Sequence, residues 1–220
     1  MIELNIQGEI RRFRPETMIN AGYTSRDREA IQEHIDEIAE EGIPEPERIP
    51  ATYQVSPDSL IVDPQSIQAV GENTSGEAEF GLVLIGDEIY VVAASDHTDR
   101  DLEKDDIQKS KQVTPNIVSR RAWPFEKIED HWDAIQIRAW STIEGERQLY
   151  QSGTLEEIRP PKDIIAELSE RDLPLDNTVL LCGTIATKTG SIEVGTRFEV
   201  EMYDPELDRS IGIDYEIDAI

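Results

Sequence analysis

Residues 76–101 read GEAEFGLVLIGDEIYVVAASDHTDRD, two apolar runs on either side of Gly86-Asp87. No other stretch restricts the chain's folding as much. A glycine in first place of a two-residue loop suits a tight β-hairpin, so Ile85 is predicted to pair with Glu88 and the ladder to run outward from there. In that register Glu79 stands opposite Ala94, and Glu77 opposite Asp96. Side chains alternate along a strand, and directly opposed residues share a face. Glu77, Glu79 and Asp96 are therefore predicted to converge at the open end of the hairpin. Like charges facing one another across a ladder are unfavourable, and the apolar residues between them predict a buried ladder. A hard cation with oxygen ligands would remove the repulsion; Mg²⁺ or Mn²⁺ suits such a site, with Ca²⁺ a third choice. Glu-x-Glu alone is a weak signal, since it recurs at 45/47, 144/146 and 199/201. The opposing Asp96 lifts this copy above an ordinary solvated acidic face.

The rest of the chain is consistent with one large or two small domains. Across 220 residues it carries 47 acidic against 21 basic side chains, a formal charge of -26. Nucleic acid and anionic membranes need a positive footprint, so neither is an expected partner. Disorder is the ordinary reading of such charge, but 38% hydrophobic content in regular patterns argues for a folded core under an acid-coated, halophile-like surface. The single cysteine, Cys182 in TVLLC, reads as a small core residue. No basic segment followed by an apolar stretch marks a signal peptide at the N-terminus, and no apolar run has the length of a membrane span. A cytoplasmic protein is expected.

Element signals predict a β-dominated α+β fold of two helices and roughly ten strands. A strand pair bends at Gly8. A helix capped by Thr24 or Ser25 runs to about Glu41 with Ile31, Ile35 and Ile38 inward, and Gly42 and Pro44 stop it. Next comes the proline-rich GIPEPERIPATYQVSP, whose Ile49, Tyr53 and Val55 are expected to lie on the core. Residues 59–72 read as short strands and 105–121 as a loop and strand, and two further strands flank Glu144-Gly145. Pro160-Pro161 opens a second helix with Ile164, Ile165 and Leu168 inward. Three final strands follow: TVLLCGT, TRFEVEMYD and RSIGIDYEI. Residues 1–50 then form a strand pair and lid-like helix, and 51–220 the main body, the two expected to make one compact unit.

The order of motifs resembles the fumarylacetoacetate hydrolase-like superfamily, in particular an uncharacterised branch marked by SGEAEF, SDHTDRDLE and SKQ. In the superfamily a Glu-x-Glu strand precedes an Asn-Asp-x-x-x-Arg-Asp segment; here Glu77-Ala78-Glu79 and Ser95-Asp96-His97-Thr98-Asp99-Arg100-Asp101 match. The resemblance implies a mixed β-sandwich or roll with peripheral helices, and Glu77, Glu79 and Asp96 as metal ligands. It also implies a homodimer, and a metal-dependent hydrolase of a small 1,3-dicarbonyl or oxo acid acting through a stabilised enolate. Hydration, decarboxylation and isomerisation could use the same site, and a non-catalytic metal- or small-acid-binding protein is the alternative from another class. Gly183-Thr184 matches the Gly-Thr that helps hold a substrate carboxylate, with Ile185 where the family has proline. The helical insertion usual after the Glu-x-Glu strand is shortened to a hairpin, and Glu103 stands where a glutamine is frequent.

Many members place a His-x-x-Glu pair on a lid helix to activate water. The usual preface, Asn-Tyr-x-x-His-x-x-Glu, sets Tyr23 correctly but puts Arg26 at the histidine. One turn on stand His34 and Glu37, neighbours at i and i+3 on a helix, so Glu37 can orient the imidazole while its other nitrogen takes a proton. A surface histidine on an acidic helix is the plainer account of the same pair. His97 is expected to orient the ligands, and His131 to be structural. The family lysine falls on Lys109 or Lys111, of which Lys111 in Ser110-Lys111-Gln112 is the better match. Arg100 could clamp a substrate carboxylate or brace the Asp loop.

Overall fold

Strands Ala78–Ile85 and Glu88–Asp96 form the expected hairpin, with Ile85 opposite Glu88 and Glu79 opposite Ala94. They are buried along nearly their whole length, so apolar residues fill both faces rather than alternate ones. Our computed structural model describes residues 1–40 and 45–220, but not the side chains of His34, Glu37, Ile38 and Glu40. The hairpin lies within a ten-stranded sheet. Its main path runs Glu9–Phe13, Ile2–Ile6, Arg121–Pro124, Glu88–Asp96, Ala78–Ile85, Thr178–Thr184, Thr17–Gly22 and Ala51–Val55. Asn116–Val118 also pairs with Glu88–Asp96, and Leu60–Val62 pairs with Asn116–Val118.

A five-stranded sheet covers one face. Its order is Glu146–Thr154, Gln136–Ile143, Arg197–Asp204, Arg209–Ala219 and Ser66–Ala69. Phe80, Leu82 and Val91 of the hairpin pack there against Ile137, Phe198 and Met202, with Ile164 and Leu168 of the helix Pro161–Ser169 in the same core. A fully buried side chain of this size contributes about 1.5–3 kcal/mol. On the other face Val83, Val92 and Ala94 meet Leu4, Met18, Val55 and Leu181, residues of the same ten-stranded sheet. The sheet is therefore curled, with its second apolar cluster inside the curl. Glu79 alternates in phase with Val83, and Asp96 with Val92 and Ala94, so both carboxylates belong to that inner face.

The strand-dominated α+β architecture is the one expected, and several local expectations are corrected. The helix Arg28–Glu40 begins after Asp27, whose carboxylate accepts hydrogen bonds from the Glu29 and Ala30 amides at 2.9 and 3.2 Å. Thr24 is not its cap, because its hydroxyl donates to the Cys182 carbonyl at 2.7 Å. Within 105–121 there is a short helix, Ile107–Gln112, capped by Asp106, whose side chain accepts from the Lys109 amide. Of the proline-rich apolar residues Val55 is buried and Tyr53 half-buried, but Ile49 is 41% exposed. Ile38 and residues 41–44, including the stop expected at Gly42 and Pro44, lie outside the described residues. No helix among the described residues is long and apolar enough to cross a membrane.

Candidate metal centre

Where the hairpin opens, the Asp96 amide donates to the Glu77 carbonyl at 3.2 Å, which extends the expected register past the last ladder pair. One oxygen from each of Glu77, Glu79 and Asp96 lies within 4.8 Å of the others. Glu79 and Asp96 are 3% and 1% exposed. Burial, then the nearness of Asp96, pushes the Glu79 carboxyl well above the usual carboxylate range. Asp96 is also raised, chiefly by burial, although Lys111 and the Asn20 amide favour its charged form. Two cations answer the three anions. Lys111 Nζ bonds Asp96 Oδ2 and lies 3.9 Å from Glu77. Burial disfavours the charged Lys111 amine, but Asp96 and Glu77 outweigh it and hold the amine protonated. Arg100 is shared: its Nη2 lies 3.2 Å from Glu77, while Nη1 reaches Glu103 at 2.9 Å and Nε donates to Ser75 Oγ at 2.8 Å.

The carboxylates thus stay under-neutralised, and Asp96 Oδ1 is a buried acceptor with no hydrogen-bond donor among the described residues. An orphaned buried acceptor costs free energy that a bound cation would recover. Three carboxylate donors with neither sulfur nor imidazole among them fit a hard divalent ion of the magnesium, manganese or calcium type.

Neighbouring strands hold this cluster in place. Thr184 pairs with Glu79 across the ladder after a register shift, and the Gly183 amide donates to Glu79 Oε2 at 2.8 Å. The Thr184 hydroxyl donates to the Ala78 carbonyl at 2.8 Å. Gln151 spans both strands: its Oε1 accepts from the Ala78 amide at 2.9 Å, and its Nε2 donates to Thr184 Oγ1 at 2.7 Å and to the Ile185 carbonyl at 2.6 Å. Gly183 has φ +89°, and a Cβ there would meet Thr24 Oγ1 at 2.0 Å. Gly183→Ala is therefore expected to destabilise by roughly 2–4 kcal/mol, combining left-handed strain with overpacking; urea unfolding midpoints check it.

Lys111 and Arg100 thus stand beside the three carboxylates, whereas Gly183 and Thr184 are engaged with the Glu-x-Glu strand itself. Lys109 is exposed and pairs with Asp106 at 2.7 Å. The ring nitrogens of His97 reach the Tyr215 hydroxyl at 3.1 Å and Thr74 Oγ1 at 3.0 Å. Burial first, then Arg100, pushes its pKa down to about 3, so the ring is neutral. His131 Nε2 lies 3.1 Å from buried Asp204, in the packing of the second sheet. His34 and Glu37 fall on the helix Arg28–Glu40, but their side chains lie outside the described residues.

Three residues at the cluster were not singled out for it by the sequence. Half-buried Tyr53 has its phenol raised chiefly by burial and is coupled electrostatically to Lys111, Glu103 and Asp96. Asn20 and Asn116 are buried polar side chains joined by a 2.8 Å hydrogen bond. Tyr53 had a signal in its two-residue phase with Ala51 and Val55, which puts it on the inner face; the asparagines had none. Tyr23, which the family preface did flag, has a phenol raised by burial and by neighbours that include Tyr53 and Glu103.

A family model described as "Protein of unknown function (DUF2848)" matches residues 21–215. No curated protein matches the sequence. Among solved structures, one similar fold is a protein from Oleispira antarctica that bears the name of a fumarylacetoacetate isomerase/hydrolase. It has TM-score 0.72 and 18% identity, over 99% of this chain and 100% of that one. Another is a 2-keto-3-deoxy-D-arabinonate dehydratase complexed with magnesium and 2,5-dioxopentanoate, with TM-score 0.64 and 16% identity over 94% and 74% of the two chains. A third is a 5-carboxymethyl-2-hydroxymuconate delta-isomerase from Mycobacterium smegmatis, with TM-score 0.62 and 16% identity over 94% and 80%. The fold is that of the fumarylacetoacetate hydrolase-like superfamily.

Proposed function

Because the chain belongs to the family described as protein of unknown function (DUF2848), and shares its fold with enzymes named for work on small oxo acids, we propose that it is an enzyme of the same broad kind: a divalent-metal-dependent hydrolase of a small 1,3-dicarbonyl or oxo acid. The observation that carries this reading is the buried Glu77, Glu79 and Asp96 trio with its donorless Asp96 oxygen. Mg²⁺ or Mn²⁺ held there would bind paired substrate oxygens and favour enolate character as a neighbouring carbon–carbon bond breaks.

The chain's own groups take the remaining roles. Lys111, protonated and beside Glu77 and Asp96, supplies a positive charge to an oxygen that becomes anionic. Arg100 keeps Glu77 and Glu103 in place from a buried position, and Gly183 and Thr184 fix the Glu-x-Glu strand from the neighbouring one. Tyr23 and Tyr53 lie within electrostatic reach of the same charges, and phenols there would suit a substrate carboxylate or carbonyl. His34, paired by spacing with Glu37, takes the proton of a water that attacks the carbonyl. The electron pair of the broken bond passes to the enolate, which is then protonated at carbon. Dehydration is a second reading on the same site, favoured by the magnesium-bound dehydratase among the similar folds. A homodimer, as the resemblance implies, belongs to the same proposal.

The test is a panel of acylpyruvates, oxaloacetate and related oxo acids, each with Mg²⁺, Mn²⁺ or chelator. At least one is expected to react with metal and to stop reacting with chelator. If none reacts under any condition and none shifts the melting temperature, the enzyme reading fails and a binding protein is left.

A further inference from the structure

Two oxygens at this cluster lack a donor among the described residues, and the second belongs to a residue so far without a role. Asn20, on the strand Thr17–Gly22, is 1% exposed, and its Oδ1 has no hydrogen-bond partner among the described residues. The hydrogen-bond network fixes which way its amide points. Asn116 Nδ2 donates to the Lys111 carbonyl and to Ser59 Oγ, both at 3.1 Å. The Asn116 oxygen must therefore face Asn20, and Asn20 must answer with its NH₂, at 2.8 Å. That leaves Asn20 Oδ1 with nothing to accept from. Turning the amide over would set two oxygens against each other.

The surroundings of Asn20 belong to the metal centre. Asn116 pairs with Asp96 across the ladder, and the Asn20 amide lies close enough to the Asp96 carboxylate to favour its charged form. Asn20 pairs with Tyr53 on one side and with Leu181 on the other, two residues before the Gly183 amide that holds Glu79. A neutral acceptor buried beside an anionic one, neither with a donor, needs a partner that is all donor or all positive. A hydrated divalent cation is both, since ions of this type keep several bound waters when protein ligands are few. Substrate hydroxyls are less suitable, because the orphaned oxygen of Asp96 needs charge as well as a proton.

Building on the metal reading above, we infer that Asn20 is a fourth, neutral member of the cation site, its Oδ1 accepting a hydrogen bond from a water on the ion while its NH₂ aims Asp96. Asn20 acts through Asp96 and that water, so it is a positioning residue. Outer groups of this kind are typically worth about 10–100-fold in metal affinity.

The test is Mn²⁺ binding by calorimetry or electron paramagnetic resonance, without substrate, on wild type, Asn20→Leu and Asn20→Ala. Asn20→Leu is expected to weaken Mn²⁺ about tenfold or more. Asn20→Ala removes the same oxygen and NH₂ with a smaller side chain, and is expected to weaken Mn²⁺ to a similar degree. Both variants should lose melting temperature mainly in the difference between metal-loaded and metal-free protein. Equal Mn²⁺ affinity in wild type and Asn20→Leu overturns the inference and leaves the three-carboxylate site standing. If Asn20→Leu does not fold, Asn20→Ala decides: affinity equal to wild type overturns it. A wild-type protein that binds no Mn²⁺ removes the metal reading itself.

Discussion

Glu79→Gln is expected to abolish stabilisation by Mn²⁺ while leaving the metal-free protein more stable than wild type. The two halves of this result have one cause. In the metal-free protein Glu79 is buried among like charges, and its pKa is raised by burial first and by Asp96 second. Glutamine keeps the shape, and its oxygen can still accept the Gly183 amide, but it carries no charge to desolvate. A neutral group of equal volume avoids both the desolvation of a buried charge and its repulsion from Asp96. A ligand present at a hundred times its dissociation constant stabilises by about 2.7 kcal/mol; wild type should show that gain with Mn²⁺ and Glu79→Gln almost none of it.

The pH dependence carries opposite signs in the two forms. A carboxyl raised in the folded state binds more protons there than in the unfolded chain, at every pH between its ordinary value and its raised one. Stability of metal-free wild type therefore falls as pH rises through that window, which opens near the ordinary carboxylate value of about 4. The cation needs the same groups deprotonated, so its stabilisation grows as pH rises. Urea unfolding at pH 5 and pH 8, with chelator or Mn²⁺, should show both slopes in wild type and both flattened in Glu79→Gln. A variant destabilised equally in all four conditions would reduce Glu79 to a packing residue.

The metal trio could be read from sequence because its geometry is local. A Gly-Asp turn sets one register, the register sets the faces, and two strands of one hairpin supply all three carboxylates. The groups around the trio come from sequence-distant elements, and no local pattern announces them. Asn20 and Asn116 are 96 positions apart and meet only because the ten-stranded sheet curls. Gln151 reaches Ala78 from the second sheet, across 73 positions. The helix that delivers Lys111 has six residues, Ile107–Gln112, too few for an apolar period to show. Tertiary demand also overrode a local signal at Thr24, whose hydroxyl was free to cap a helix until Cys182 offered a buried carbonyl. Ile49 failed as a core residue because the strand starts too late to hold it: it shares the phase of Ala51 and Val55, but the ladder with Thr17–Gly22 ends at Ala51.

Lys111→Met is the other large effect, and it separates the roles of charge and packing in one residue. Methionine fills a similar volume along the lysine stem but takes away the ammonium that bonds Asp96 Oδ2 and faces Glu77. Removing one partner of a buried ion pair typically costs roughly 3–5 kcal/mol, because the other charge is left uncompensated. Metal-free Lys111→Met should therefore unfold at clearly lower urea. Mn²⁺ should restore most of that loss, and its affinity should rise above wild type, since the ion no longer competes with a resident cation. Activity should move the other way. With Mn²⁺ saturating, kcat for the reacting oxo acid is expected to fall about 10²–10³-fold, the scale set by loss of one preorganised group facing a developing oxyanion. Lys111→Arg, which keeps the charge, should retain the metal-free stability better than the activity, because a guanidinium still pairs with Asp96 but cannot set a compact ammonium at the developing oxyanion. A metal-saturated Lys111→Met enzyme turning over within twofold of wild type would confine the lysine to holding the carboxylates apart. Tighter Mn²⁺ binding together with lost turnover is the outcome that only a lysine acting on substrate, beside the ion and not in its place, would produce.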